Sequence, residues 1–308
     1  MKSERSIWLN GQMRPESAAV VSIYDSAMMY GDSLFEMLRS YRLKHFRVED
    51  HLDRLLAGAV TLGIPTPTKK EMLGALDELD RANEKCWAAD DEIRTLITVS
   101  RGTLPLYLHL ESRPWLMITQ YPLRWVLRGR SRLYRHGVHC ISTSIPGFAH
   151  AQVPGHLKHH NRIHFRLAEQ EAATMDPEAW ALVHDGTEAQ RPVEATGANL
   201  FVVRNGILRT PPLIRCLPGI SRRMVIELAA KLGIAMRLSP LEPNGAEEAF
   251  ATCTPFGIVP WTRWNDQTIG PGMVGPLTTT LMQAWNEAVG MDAAAQAEAW
   301  DRADGQVG

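Results

Sequence analysis

Apolar residues recur along this chain at two spacings, and the alternation between them sketches its elements. From Val48 to Leu62 they fall at Leu52, Leu55, Leu56, Ala59 and Leu62, the stripe of an amphipathic helix, with Arg54 off its centre beside Asp50, Gly58 and Thr61. A second helix is predicted from Thr68, where Thr68-Lys69-Lys70-Glu71 has a capping-box pattern, through Met72, Leu76 and Leu79. Ile93 to Ser100 and Trp115 to Tyr121 are rich in β-branched and aromatic residues and read as strands. Ser6 to Arg14 reads as two short strands around Asn10-Gly11, a dipeptide that accepts the positive φ of a tight hairpin. These elements predict a small α+β domain over residues 1–121.

Pro122 to Arg135 is basic and irregular, and we assign 122–135 as the interdomain connection. Beyond it the pattern predicts a strand (Val138 to Ser144), a histidine-rich loop and a helix from about Asn161 to Ala173. Two hairpin signals follow, one around Asp185-Gly186 and one around Asn205-Gly206. Their closeness argues for antiparallel, barrel-like β structure rather than a doubly wound sheet. A helix opening at Ser221 and closing at Gly233, strands from Glu248 to Thr254 and Ile258 to Trp264, and a last helix from Leu277 to Val289 complete a larger domain, 136–291. The Ala- and acid-rich stretch 292–308 lacks aliphatic periodicity and is expected to be a loose tail.

With 45% apolar residues in 308, the chain can bury the core of one large or two modest domains. Lysine plus arginine (33) nearly cancel aspartate plus glutamate (34), so no overall field favours nucleic acid or an anionic membrane. No apolar run approaches the roughly 18 residues of a membrane span, and Met1 to Arg5 lacks the apolar stretch of a signal peptide. Cys86, Cys140, Cys216 and Cys253 are scattered without a CxxC pair, which fits a reduced, cytoplasmic chain better than a disulfide framework.

Candidate chemistry concentrates in His156-Leu157-Lys158-His159-His160-Asn161-Arg162 and Val193-Glu194-Ala195-Thr196-Gly197. Lys158 has no acidic neighbour in sequence to hold its ammonium protonated, and a lysine of depressed pKa can form a Schiff base with an aldehyde. Glu194 is a carboxylate suited to a pyridinium nitrogen, the partner that lets pyridoxal 5'-phosphate act as an electron sink. His156, His160 and His164 would share a face on a continuous helix and could bind a divalent cation. Pro154-Gly155 precedes them and no carboxylate occurs before Glu169, so packed imidazoles and no metal are expected. Gly270-Pro271-Gly272-Met273-Val274-Gly275 matches GxGxxG, but the following tail cannot supply a βαβ unit, so we read no dinucleotide site.

The chain resembles the class IV (fold type IV) family of pyridoxal-phosphate enzymes, from Ile7 to about Asn286. That family includes branched-chain and D-amino-acid aminotransferases, (R)-amine transaminases and aminodeoxychorismate lyases. The resemblance rests on Trp8-Leu9-Asn10-Gly11, Tyr30-Gly31-Asp32-Ser33-Leu34-Phe35-Glu36 with Arg39, His51-Leu52-Asp53-Arg54-Leu55, the Lys158 and Glu194 segments, Leu217-Pro218-Gly219-Ile220-Ser221-Arg222 and Phe250-Ala251-Thr252-Cys253-Thr254. It implies a two-domain α+β fold, a cofactor between the domains, a homodimer, and Lys158 as the catalytic residue. It also implies that Glu194 meets the ring nitrogen and that Arg54, Gly219, Ile220, Ser221 and Thr254 hold the phosphate; by itself Gly219-Ile220-Ser221 reads rather as a plain loop with a serine N-cap, and it is the company of Arg54 and Thr254 that favours the phosphate.

For substrate, the resemblance points to Tyr30, Phe35, Arg39, Arg94 and Pro255. Pro255 departs from the branched-chain pattern, since it stands where a backbone N–H would meet the substrate carboxylate. The D-amino-acid Arg-x-His pair is absent after Arg101-Gly102, where Leu106-Tyr107-Leu108 stand. Arg39 and Arg94 are the remaining carboxylate clamps, and Arg94, inside an apolar strand, reads equally as the partner of a buried acid. The expected reaction is amino-group transfer between an amino acid or primary amine and a 2-oxo acid. Asn161-Arg162 after the lysine keeps a lyase forming 4-aminobenzoate and pyruvate as the alternative, and a non-catalytic binding protein as the second.

Overall fold

A computed structural model describes residues 4–104, 111–147 and 153–305. The chain divides into two units, Met1–Val126 with Leu157–Asn161 and Leu127–His156 with Arg162–Gly308. Two features differ from the predicted boundaries. The first unit ends inside the stretch read as a connection, and it also takes the Lys158 segment, which the sequence pattern assigned to the second domain.

The first unit is a six-stranded sheet with helices. Its described elements are β1 (Ser6–Leu9), β2 (Gln12–Pro15), α1 (Ser26–Tyr30), β3 (Ser33–Tyr41), β4 (Lys44–His45), α2 (Val48–Leu62), α3 (Lys69–Asn83), β5 (Ile93–Ser100) and β6 (Trp115–Pro122), with strand order β2-β1-β6-β5-β3-β4. The β1–β2 hairpin pairs Leu9 with Gln12 around Asn10 (φ 47°) and Gly11 (φ 80°), the left-handed pair its sequence calls for. Helix α2 buries Leu52, Leu55 and Ala59, and α3 opens on the full Thr68–Glu71 capping box. Asn83, at the end of α3, receives the Ser6 N–H at 2.7 Å and donates to the Ser6 carbonyl at 3.0 Å, tying helix to sheet.

The second unit is built on a closed barrel. After the short helices α4 (Arg124–Leu127, at the division) and α5 (Leu133–His136) come β7 (Val138–Pro146), α6 (Ile163–Met175), β8 (Trp180–His184), β9 (Pro192–Ala195), β10 (Ala198–Arg204) and β11 (Ile207–Thr210). Then follow α7 (Ile220–Lys231), β12 (Met236–Leu238), β13 (Glu248–Cys253), β14 (Gly257–Trp264), β15 (Gln267–Thr268), α8 (Pro276–Val289) and α9 (Ala293–Ala303). Strands β10-β13-β14-β7-β8-β9 form a ring that closes where β9 pairs with β10. The barrel is mixed rather than wholly antiparallel, because β7 runs parallel to both β14 and β8. The chain between β7 and β8 is a crossover carrying α6, and a crossover returns a strand in the same direction. Ala168 and Ala172 of α6 pack on Ile141, Ala181, Val183 and Val193 of the barrel.

The expected loose tail is a helix. Asp292 caps α9 by accepting from Ala294 and Ala295 N–H, and Ala293, Ala297, Trp300 and Asp301 are buried. The alanines that hid an aliphatic stripe are the strongest helix formers, and one tryptophan supplies the apolar anchor. Asp301 Oδ1 and Oδ2 accept from the Gly129 and Ser131 N–H groups at 2.6 and 3.0 Å, so α9 is pinned to the segment before α5. Trp300→Ala should therefore cost about 3–5 kcal/mol. Thermal or urea unfolding checks this, and an unchanged midpoint would restore the loose tail.

Candidate active site

Lys158 is held in the first unit by backbone pairing with β3. Phe35 N–H donates to the Lys158 carbonyl at 2.9 Å, His160 N–H donates to the Ser33 carbonyl at 3.3 Å, and Leu34 bridges His159. The ammonium lies 4.7 Å from the centre of the Phe35 ring, which also stacks on His160 at 4.4 Å. Ser33 Oγ holds the His160 ring at Nδ1, 2.9 Å away. Gly31 (φ 68°) ends α1, and a Cβ there would stand 3.1 Å from Asn161 Cβ, so glycine serves both the left-handed turn and the close approach. His160 thus stacks and hydrogen-bonds locally; no group of three or more His, Cys, Asp or Glu among the described residues could hold a metal, and His150 lies outside them.

On the opposite face of β3, under α2, sits a buried charge cluster that the sequence pattern alone does not assemble. Glu36 accepts from Arg54 Nε at 2.6 Å and Nη2 at 2.7 Å, and from His51 Nδ1 at 2.7 Å. Strand alternation puts Glu36 between Leu34 and Leu38, while i, i+3 helix spacing puts His51 and Arg54 side by side. Burial alone would push the Glu36 carboxyl up, but the Arg54 charge and the His51 hydrogen bond outweigh it and lower its pKa to about 2. Burial pushes His51 below its ordinary value despite the Glu36 hydrogen bond, and the Arg54 and Lys158 charges act in the same direction. A neutral His51 facing an ionised Glu36 carries its proton on Nδ1. Arg54, expected at a cofactor phosphate, therefore has one edge of its guanidinium fixed by Glu36. The signal was present in sequence as an acid among buried strand positions and an arginine off the α2 stripe.

In the second unit, Glu194 faces Asn199 across the β9–β10 pair, and Asn199 faces Thr252 across β10–β13, so the three form one lateral row. Glu194 Oε2 accepts from Leu217 N–H at 3.2 Å, and Asn199 Nδ2 donates to the Leu217 carbonyl at 2.9 Å. Two residues on, Gly219 is the N-cap of α7 with no side-chain cap, and a Cβ there would fall 2.0 Å from Asn199 Oδ1. Ile220 and Ser221 are buried in its first turn, where N–H groups lack intrahelical partners. Thr254 is half-buried in the turn after β13, and the Thr252 hydroxyl is buried without a hydrogen-bond partner.

The start of α8 shows the contrast. Glu248 accepts from Leu277 N–H (3.0 Å) and Thr278 N–H (2.7 Å), so that helix already has its anion. The GxGxxG stretch serves this contact, since a Cβ at Gly275 would lie 2.0 Å from Glu248 Cδ. The uncapped start of α7, its obligate glycine and the orphaned Thr252 hydroxyl fit an anionic cofactor in the second unit.

The substrate candidates lie as follows. Tyr30 ends α1, whose N-cap Asp25 accepts from Ala27 N–H (2.9 Å), Ser100 Oγ (2.6 Å) and Trp115 Nε1 (2.6 Å). Phe35 and Arg39 share one face of β3, and Arg39 is the cross-strand partner of Arg94 on β5. The Arg39 guanidinium is buried over the Tyr41 ring at 3.9 Å, and that of Arg94 lies 5.9 Å from the Tyr121 ring. Pro255, half-buried, follows Thr254 and offers no N–H. Leu106-Tyr107-Leu108 lie outside the described residues.

A family model described as amino-transferase class IV matches residues 33–264. The chain belongs to that family. It is 33% identical over 288 residues to a putative branched-chain-amino-acid aminotransferase of Methanocaldococcus jannaschii, covering 91% of this chain and 95% of the relative. It is 24% identical over 288 residues to the D-alanine aminotransferase of Bacillus licheniformis, covering 92% and 96%. The solved branched-chain amino acid aminotransferase of a T.th. strain, complexed with N-(5'-phosphopyridoxyl)-L-glutamate, aligns with a TM-score of 0.81 and 27% identity over 94% of this chain and 95% of that one. The protein is a pyridoxal-phosphate-dependent aminotransferase with the fold of its family.

The buried cluster gives this aminotransferase an acid-sensitive element. A carboxyl whose folded pKa is depressed stabilises above its unfolded value and loses that contribution as pH falls through the folded one. For Glu36 the window runs from 4.5 down to about 2. His51, held neutral, adds a loss beginning below its ordinary 6.5. Glu36→Gln should cost about 3–5 kcal/mol at neutral pH by leaving Arg54 buried against a neutral amide. Its melting temperature should also vary less than that of the wild type below pH 4.5. Parallel acid limbs in the two proteins would refute the ionised cluster.

Proposed function

We propose that Lys158 and Glu194 are the reactive pair of this aminotransferase and that Arg54, Gly219, Ile220, Ser221 and Thr254 bind its cofactor phosphate. The observation that carries the reading is the Glu194–Leu217 hydrogen bond. The bonded Leu217 stands two residues before Gly219, the N-cap of α7, so the proposed ring-nitrogen partner adjoins the proposed anion cradle. When bound, pyridoxal phosphate supplies an aldehyde carbon for amine exchange and a ring that delocalises the electron pair left by Cα–H loss. Lys158 Nζ takes the proton from the donor's α-carbon and returns it one position away, acting as base and then acid. The Phe35 face beneath the ammonium restricts where that nitrogen can swing.

Glu194 holds the proton on the ring nitrogen. Burial, with the Glu194 charge beside it, pushes the Cys216 thiol up to about 12. Ser221 and Thr254 offer hydroxyls and Arg54 a cation to the phosphate, and Glu36 fixes the orientation of the Arg54 fork. A proline at 255 withholds one donor from an α-carboxylate, a deficit of about 1–3 kcal/mol in a dry site. Arg39, or Arg94 opposite it, replaces that donor for amino-acid and 2-oxo-acid substrates.

A second copy of the chain is the proposed partner. Val20, Ile23, Tyr24, Met28, Met29 and Tyr30 expose a run of apolar side chains in the first unit, the kind of surface a homodimer covers. No helix among the described residues is long and apolar enough to cross a membrane, and all four cysteines are free, which suits a cytoplasmic enzyme.

Amino donors screened against pyruvate and 2-oxoglutarate, with a parallel assay for 4-aminobenzoate, test the reaction; 4-aminobenzoate without transamination would favour the lyase. Glu194→Gln should retain cofactor yet slow turnover by about a hundredfold or more, the usual scale of proton-transfer catalysis. Wild-type turnover in that variant would remove Glu194 from the site. Arg39→Ala and Arg94→Ala, assayed with an amino acid and its decarboxylated amine, decide the clamp: loss confined to the amino acid supports it, and equal rates refute it.

A further inference from the structure

The second unit contains a cavity that the transamination reading does not use. It measures about 330 Å³ and is lined by Arg191, Arg204, Arg209, Val202, Ser239 and Glu242 with the adjoining Pro240 and Leu241. Its floor follows from strand register. Val202 pairs with Arg209 across β10–β11, and Arg204 lies two residues beyond Val202, so all three share one face. Arg191 enters from the residue before β9, and Ser239 from the residue after β12, where its N–H donates to the Thr210 carbonyl at 3.0 Å.

The charges here are unbalanced. Glu242 is the one acid among the described lining residues, half-exposed, and its oxygens stand 3.7 Å from both Arg191 Nε and Arg204 Nη1, outside hydrogen-bond distance. Arg209 makes no ion pair with a described residue, its Nε is buried without a hydrogen-bond partner, and the Ser239 hydroxyl is likewise buried and unpartnered. Arg237 is the register partner of Arg209 on β12 and adds a further cation beside the site. Gly245 (φ 74°) keeps the Arg204 guanidinium close, since a Cβ there would meet Arg204 Nε at 3.2 Å. Leaving one buried N–H of a guanidinium and a buried hydroxyl unpaired is costly, and a bound anion with several acceptor oxygens removes that cost.

We propose that this arginine-lined cavity is a second ligand site, taking a small dianion: a phosphate monoester or a dicarboxylate. Arg209 and Ser239 contact the anion in the floor, and Arg191 and Arg204 turn from the loosely held Glu242 to close on it. The volume lies at the lower end of small-molecule sites and accommodates a metabolite rather than a bare ion. The inference does not depend on which residues perform transamination.

Calorimetric titration of the cofactor-loaded enzyme with glycerol phosphate, and separately with malonate, tests it and separates phosphate from carboxylate as the source. Saturable binding of at least one at one site per chain is expected. Arg209→Gln should weaken it about tenfold or more, the loss of one charge-assisted contact, and leave amino transfer unchanged. Arg204→Gln provides the same test should Arg209→Gln fold poorly. Glu242→Gln should tighten binding by removing the competing carboxylate. Absence of saturable heat from both anions up to about 10 mM, or titrations that none of the three substitutions alters, would overturn the site.

Discussion

Main-chain hydrogen bonds from Leu157–Asn161 to the start of β3 set the position of the lysine on which the proposed chemistry depends. A lysine side chain has many rotamers, so placing its nitrogen requires a fixed Cα and a wall. The pairing supplies the first, and the Phe35–His160 stack supplies the second. Because strand alternation sends Phe35 to one face and Glu36 to the other, one strand positions the lysine on one side and anchors Arg54 on the other.

Electrostatic demand is met differently at three places. Glu36 neutralises Arg54 inside the first unit, and Glu248 satisfies the start of α8. The start of α7 has no side-chain cap, and Gly219 leaves no room for one. The start of α7 is thus open to an anion from outside, such as the phosphate of the proposed cofactor site. A similar demand is left by the buried, unpartnered Arg209 Nε and Ser239 hydroxyl at the second cavity.

Much of this was readable along the chain because the relevant physics is local. Asn10-Gly11 and Asn205-Gly206 specify their turns, the α2 stripe specifies its buried face, and Thr68 to Glu71 specifies a helix start. What escaped depends on distant partners. The parallel run of β7 follows from a crossover that no hairpin signal reveals, and α9 is held by Trp300 and by Asp301 receiving two N–H groups from around residue 130. Arg54 stands out in sequence as a phosphate ligand, and Glu36 and His51 as members of family motifs; only the packing of α2 on β3 makes the three a cluster. The division of the chain likewise depends on the backbone of residues 157–161 pairing with a strand more than a hundred positions earlier.

Lys158, fixed by β3, is the lysine proposed to join the cofactor, to the exclusion of every other. Borohydride reduction of the loaded enzyme followed by peptide mapping tests it directly. The account predicts a pyridoxyl group on the single peptide containing Lys158, and none after Lys158→Ala. A label on Lys2, Lys44, Lys69, Lys70, Lys85 or Lys231, or labelling that survives Lys158→Ala, would contradict it.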